Sequence, residues 1–293
     1  MFGLINVNKP AGITSRRVVD QIQRLVRPAK AGHAGTLDPL ATGVLVVCVG
    51  QATRLIEYVQ QMKKEYRGTF LLGCSSPSED TESEVTHLDD PLIPTLQQIQ
   101  QAIGQWTGLI LQRPPAFSAL KVGGRRAYQL ARQGQLDPLP PRELTIYQLR
   151  VVDYQYPKLV LDITCSSGTY IRSLGRDLAE TLGTQAVMSA LARTAIGGFR
   201  LEDACQTELL DQQSLRQNIL PSARAIEGLP VFDLTPVDTE ELRYGRPIIR
   251  AGIESPGRKY AGIYQGQLLA ILERYDQETL KPTKVFSDNF DQG

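Results

Sequence analysis

Gly32-His33-Ala34-Gly35-Thr36-Leu37-Asp38-Pro39-Leu40-Ala41-Thr42-Gly43 runs straight into the apolar stretch VLVVCV at 44–49, and the reading of this chain turns on that segment. Three glycines and a proline in twelve residues describe a rigid, turn-rich loop. The six apolar residues after it have the length of a buried strand and fall far short of a membrane span. Asp38, between Leu37 and Pro39, is therefore an acid held by scaffold rather than displayed on a mobile surface. Spacing alone leaves its reaction open, because a structural turn aspartate before proline looks the same.

Outward from this loop, several chemistries drop away. The four cysteines (Cys48, Cys74, Cys165, Cys205) form no CxxC pair, and the only histidines are His33 and His87. No zinc knuckle, HExxH, P-loop or dinucleotide fingerprint is present, which disfavours metallohydrolases, P-loop nucleotidases and Rossmann dehydrogenases. No metal and no cofactor is expected, and the chemistry falls to carboxylates, Tyr, Lys or Arg. The N-terminal MFGLINVNKP has no signal-peptide pattern, so a cytoplasmic enzyme is the expectation.

The formal charge of +1 over 293 residues at first argues against a nucleic-acid partner. Its distribution argues the reverse. Residues 1–36 carry a net +5, residues 109–136 another +5 with no acid, and residues 74–90 a net −6 with no Lys or Arg. One such block reads as a solvated face. Two basic blocks with almost no compensating acid point to an anionic partner, with the acidic loop directed elsewhere.

Strand patterns occur at 4–8, 43–50, 66–73, 143–153 and 158–166. Helical patterns cover a first basic helix capped by Thr14 or Ser15 and ended by Pro28, then 53–60, 95–106 and 170–182, with Gly183 as a C-cap. Strands follow one another as well as helices, so the expected class is α+β, with a mixed, mainly antiparallel sheet flanked by helices. The Gly/Pro/Arg-rich stretch 112–141 reads as an insertion. Two β-like runs, 258–265 and 267–274, read as a hairpin in a small β-rich domain at 229–293, leaving 1–228 as the main domain.

GHAGTLDPLATGVL resembles the catalytic signature of the bacterial tRNA pseudouridine-55 synthases, the TruB family. Four further segments resemble that family in the same order. They are Asn8-Lys9-Pro10-Ala11-Gly12-Ile13-Thr14-Ser15, Lys64-Glu65-Tyr66-Arg67, Ser118-Ala119-Leu120-Lys121, and Gly168-Thr169-Tyr170-Ile171-Arg172 followed by Leu178. The resemblance covers roughly residues 2–230, and the tail with Gly245-Arg246-Pro247 resembles a PUA-like domain more weakly. It implies the pseudouridine synthase fold and isomerisation of the uridine at position 55 in the T arm of tRNA.

By the same resemblance Asp38 faces the sugar as nucleophile or charge stabiliser, as carboxylates do in glycosidases. Bonding to C1′, attack on the base and removal of a sugar proton all remain open as its first step. Arg172 pairs with Asp38. Tyr66 stacks on the flipped uracil and mediates proton removal from C5, while Tyr170 and Leu191 line the pocket. His33 helps fill the gap left by flipped nucleotides, and Lys9 supports the floor of the site. Lys121, Arg125 and Arg126 belong to a thumb that closes over phosphates. The product is an isomer of the substrate, so no cofactor is called for. One departure stands out: Gln185-Ala186-Val187 occupies a place where the family usually has Gly-Ala-His. A monomer with no obligate protein partner and no membrane association is expected. The alternative function is a tRNA-binding or folding module with secondary or no catalysis.

Overall fold

The computed structural model describes residues 2–118, 120–250 and 258–287. Ala119 of the segment quoted above and parts of the tail, 251–257 and 288–293, lie outside the described residues. A ten-stranded sheet forms the body. Its path runs Cys205–Gln206, Gly3–Lys9, Thr42–Val49, Ala186–Ile196, Lys64–Leu72, Lys158–Cys165, Arg142–Gln155 and Gly108–Gln112, with Ala31–His33 and Phe199–Arg200 paired alongside. Most neighbours are antiparallel; the exceptions are the first pair and the junction of Thr42–Val49 with Ala186–Ile196. The expected mixed, mainly antiparallel α+β class is what the structure shows.

The period-2 alternation of the apolar run at 44–49 sets the layers. Leu45, Val47 and Val49 pack under the helix Ser15–Val26 through Val18, Val19 and Ile22. Val44, Val46 and Cys48 face the other way, toward Ala52, Leu55, Ala261 and Ile271. A strand of uninterrupted hydrophobicity is thus a strand covered on both faces. Thr14 caps the basic helix by accepting from the Arg17 N–H, and the helix ends at Arg27, the residue before Pro28.

At the other half of the sheet, the helices Leu96–Gln105 and Ile171–Thr181 cover one face. Phe70 is the wedge between sheet and helix: a Cβ at Gly175 would stand 2.2 Å from its ring. Gln112 then fixes where that helix starts. Its side-chain amide accepts from the Tyr170 N–H at 2.9 Å and donates to the Tyr170 carbonyl at 3.0 Å. Residues 112 and 142 are paired neighbours, so the intervening chain leaves the sheet and returns at one point. It carries a short hairpin (Lys121–Val122, Arg125–Arg126) and the helix Ala127–Arg132.

The tail forms a separate five-stranded sheet whose Lys259–Tyr264 and Gln267–Arg274 strands turn at Gln265 and Gly266, both at positive φ. This sheet shares a core with the body through Ala261, Leu268, Ile271 and Phe286, and Phe2 stacks on Phe286 at 5.7 Å.

Where three central strands meet, the register aligns Gly43, Arg193 and Tyr66 as direct neighbours. Gly43 has φ +100°, and a Cβ there would lie 2.2 Å from the Arg193 carbonyl oxygen. Neither the angle nor the clash can be relieved by a side-chain rotation, because both partners are backbone. Gly43→Ala is therefore expected to lower stability by about 2–4 kcal/mol. A denaturant midpoint unchanged from wild type would show that the strand junction can spread at no cost.

Candidate active site

The junction of these strands opens into a cavity of 440 Å³ lined by the 34–38 loop, Tyr66, Phe117, Tyr170, Arg172, Leu191 and Arg193, among others. The loop is built as a pinned object. Ser15 Oγ both accepts from the Leu37 N–H at 2.8 Å and donates to the Leu37 carbonyl at 3.0 Å. The Gly12 N–H donates to the Pro39 carbonyl at 2.8 Å. Lys9, fully buried, donates to the carbonyls of Pro10, Ile13 and Pro39. Burial lowers its ammonium to about 8.

Arg172 stands on the first turn of the helix Ile171–Thr181 and is almost wholly buried. Its Nε lies 3.1 Å from Asp38 Oδ2 and 3.5 Å from Asp80 Oδ2. One terminal nitrogen donates to the Ser78 carbonyl at 2.8 Å and the other to the Phe117 carbonyl at 3.2 Å. The guanidinium fork is thus filled on every side, which orients the half-buried Asp38 carboxylate at the cavity mouth.

Asp80 corrects the sequence reading. The acidic segment 74–90 does not point elsewhere; its middle is folded into the site. Asp80 is 2% exposed and accepts from Ser78 Oγ at 2.5 Å and the Glu82 N–H at 3.0 Å, in addition to facing Arg172. Glu82 accepts from the Leu40 N–H at 2.9 Å, and burial beside Asp80 raises its carboxyl. Glu79 accepts from Ser173 and pairs with Arg176 one helical turn along from Arg172. The physical reason is balance: a buried arginine next to a loop acid needs further acceptors, and the acidic segment supplies them.

Arg193 is a second residue that the motifs do not reveal, although Leu191 on the same strand is among the expected pocket residues. It is 2% exposed, and its donors reach the carbonyls of Val44 at 2.7 Å, Gly35 at 3.1 Å and Thr36 at 3.5 Å. The same guanidinium favours the ionised form of the Tyr66 hydroxyl, against the larger effect of burial, which pushes that hydroxyl up. Lys64, buried under the cavity, donates to the carbonyls of Gln60 and Met62, and burial near Arg193 lowers it to about 8. No residue-type pattern signals a buried cation that is answered chiefly by backbone carbonyls.

The structure brings Asp38, Tyr66, Tyr170, Arg172 and Leu191 to one cavity. Burial raises the Tyr170 hydroxyl. His33 sits on the strand Ala31–His33 leading into the loop, outside the cavity lining, with its Nδ1 buried and without a hydrogen-bond partner. Burial and the neighbouring Arg193 and Arg16 lower its imidazole. Lys121, Arg125 and Arg126 are exposed on the inserted hairpin, whereas Phe117, Ser118 and Leu120 at its root line the cavity. Val187, at the departure from the family pattern, is fully buried opposite Leu71. Among the described residues, no group of three or more His, Cys, Asp or Glu side chains could hold a metal ion.

Comparison with known proteins agrees with this architecture. The family profile described as TruB family pseudouridylate synthase (N terminal domain) matches residues 23–171. A solved structure, "Crystal Structure of a Cbf5-Nop10-Gar1 Complex", superposes with a TM-score of 0.77 at 26% identity, covering 98% of this chain and 86% of that one. The fold is that of a pseudouridine synthase, and the chain is an isomerase of that class. A tRNA pseudouridine synthase B from Streptococcus gordonii is 38% identical over 98% of this chain and its own full length. Another, from Mycobacterium sp. (strain KMS), is 40% identical over 94% of each chain. The chain belongs to the TruB family of pseudouridylate synthases.

The fork at Arg172 yields a test. A lysine can keep the charge but cannot reach two carboxylates and two carbonyls at once. Arg172→Lys is expected to lower kcat for pseudouridine formation at least about 100-fold, the scale of a 1 Å misplacement at a reacting centre. KM should move far less. Steady-state kinetics with a kcat near wild type would show that charge alone suffices at this position.

Proposed function

We propose that this protein converts the uridine at position 55 in the T arm of tRNA to pseudouridine, with Asp38 as the residue that acts at the sugar. The observation that carries the reading is the Asp38–Arg172–Asp80 arrangement at the mouth of a cavity whose mixed lining includes Tyr66, Phe117, Tyr170 and Leu191. The full-length relatives are named tRNA pseudouridine synthase B, which supports tRNA as the substrate.

The reaction breaks the N1–C1′ bond, turns the uracil and joins C5 to C1′. Asp38 is aimed by Arg172 and backed by a loop that cannot recoil, which suits a carboxylate that must meet C1′ along one direction. Tyr66 provides a stacking face for the uracil and a hydroxyl that burial holds protonated, with the Arg193 guanidinium acting in the opposite sense, so that it can relay a proton in the C5 step. Leu191 and Tyr170 complete a pocket that takes a base out of its stack. Lys9 serves through the loop, holding Pro39 one residue from Asp38.

We divide the chain into a catalytic domain at 1–228, with a thumb at about 112–141, and a PUA-like RNA-binding domain at 229–293. His33 is assigned to the space left by flipped nucleotides, and the thumb cations Lys121, Arg125 and Arg126 to phosphates. Among the described residues, no helix is long and apolar enough to cross a membrane. A monomer acting in the cytoplasm completes the proposal.

Asp38→Asn keeps the side-chain shape and is expected to abolish pseudouridine formation on unmodified tRNA while tRNA binding persists. Pseudouridine mapped at position 55 with the variant would remove Asp38 from the mechanism. Absence of product with wild type as well would favour a binding or folding role. For the thumb, Arg125→Ala combined with Arg126→Ala should flatten the slope of log Kd against log salt by about 1–2, near the 0.7–0.9 expected for each phosphate no longer neutralised. An unchanged slope would mean these arginines face only solvent.

A further inference from the structure

A second concavity, of 570 Å³, lies at the far end of the apolar strand from the active site. It is lined by the end of the basic helix and the turn after it, 25–30, by Gly50 and Gln51, and by Gln212 and Arg216 of the helix Gln212–Gln217. Three of these residues, Arg27, Lys30 and Arg216, are cations, and none is an acid. All three cationic residues are exposed, and none of them lies within 4 Å of a carboxylate among the described residues. Arg24, one turn back on the same helix, is likewise exposed and unpaired among the described residues.

We infer that this groove is a second RNA-backbone site, holding phosphates of the substrate remote from the reacting uridine. The inference rests on the reading that RNA is the substrate. Its position supports it: Thr42, at the strand end near the catalytic loop, and Val49, beside the groove, are about 24 Å apart by strand rise. The strand Ala31–His33 begins directly after Lys30, pairs with Thr42–Val49 and leads into the catalytic loop, so it links groove and site. Lys30, which lines the groove, and Ala34, which lines the cavity, are four residues apart, at most about 14 Å, so one RNA arm laid along the body can reach both.

The form of the site selects a polyanion over a small anion. A single phosphate is usually held by buried donors or a nest of backbone N–H groups. Here the Gly50 N–H is already spent on the Lys30 carbonyl at 2.7 Å, and the cations are long, exposed side chains from separate segments. Such side chains gain little from one anion in water. They gain by displacing condensed counterions along a backbone. The unpaired cations that the sequence shows as a basic block at 1–36 thereby acquire a place, because folding brings Arg216 from far along the chain to join them.

The test compares wild type with Arg27→Ala/Lys30→Ala/Arg216→Ala, and with Arg216→Glu as a second variant. Full-length tRNA binding is measured from about 50 to 200 mM salt alongside steady-state kinetics. The triple variant is expected to lose about 2–3 from the log–log salt slope, at roughly 0.9 per neutralised phosphate. Its KM for tRNA should rise at least tenfold with kcat at saturation within twofold. Arg216→Glu should raise KM with kcat likewise held. Salt slopes and KM values matching wild type in both variants would overturn the inference. So would inorganic phosphate, at constant ionic strength, competing with tRNA in wild type only, since that marks a small-anion site. Failure of wild type to bind or modify tRNA would instead sink the reading of the substrate.

Discussion

A cation removed from water must find acceptors where it lies, and four of them are buried around one loop. Arg172 meets two carboxylates. Lys9, Lys64 and Arg193 have none within 4 Å among the described residues and bond instead to backbone carbonyls at eight positions: 10, 13, 35, 36, 39, 44, 60 and 62. An unmatched buried charge costs several kcal/mol, and charge-assisted hydrogen bonds are roughly twice as strong as neutral ones. The loop backbone therefore cannot drift without stranding a cation. The stiffness that the glycines and proline begin is completed by these ammonium and guanidinium groups.

This constraint explains why the acidic segment folds inward. With three cations answered mainly by carbonyl dipoles, the neighbourhood of Asp38 has room for further acids, of which Asp80 faces Arg172 while burial beside Asp80 raises the Glu82 carboxyl. Asp80 and Glu82 enter from a segment that hydrogen-bonds to the strand Ala186–Ile196 at Met188. Asp80 is satisfied by Ser78 and the Glu82 N–H before Arg172 is counted, so it is a fixed point against which Arg172 is held. Orientation then passes outward from Asp80 to Arg172 to Asp38. At the other side the Gln112 amide locks the backbone of Tyr170, so the helix bearing Arg172 cannot rotate away.

Much of this is legible in the residues and some of it cannot be. The strand at 44–49, the cap at Thr14, the helix after Tyr170 and the hairpin at 265–266 follow from apolar period, capping chemistry and turn residues, all local properties. Asp38 and Arg172 stand out because ordered motifs carry them. Asp80 and Arg193 do not, since their meaning lies in what they touch: a run of acids looks solvated until a buried guanidinium is placed against it, and an arginine on a strand looks like surface. The carbonyls of Ser78 and Phe117 are beyond any residue-type reading, because every residue has a carbonyl.

Arginine thus does opposite work at two depths, and dielectric decides which. Two charges 4 Å apart interact by about 1 kcal/mol in water and about 4 kcal/mol at the effective dielectric of a protein site. Arg172, buried, spends its charge on fixed partners and sets geometry to fractions of an ångström. Arg27, Arg125 and Arg216, exposed, are each too weakly coupled to set geometry; in the roles proposed for them they serve by number, through the counterions an RNA backbone sheds. Extruding a base costs a few kcal/mol, a sum that several such weak interactions can offset while the buried network stays unmoved. A near-neutral chain reconciles both demands by placing acids such as Asp38 and Asp80 where a buried cation needs them and leaving surface cations such as Arg27 and Arg216 unanswered.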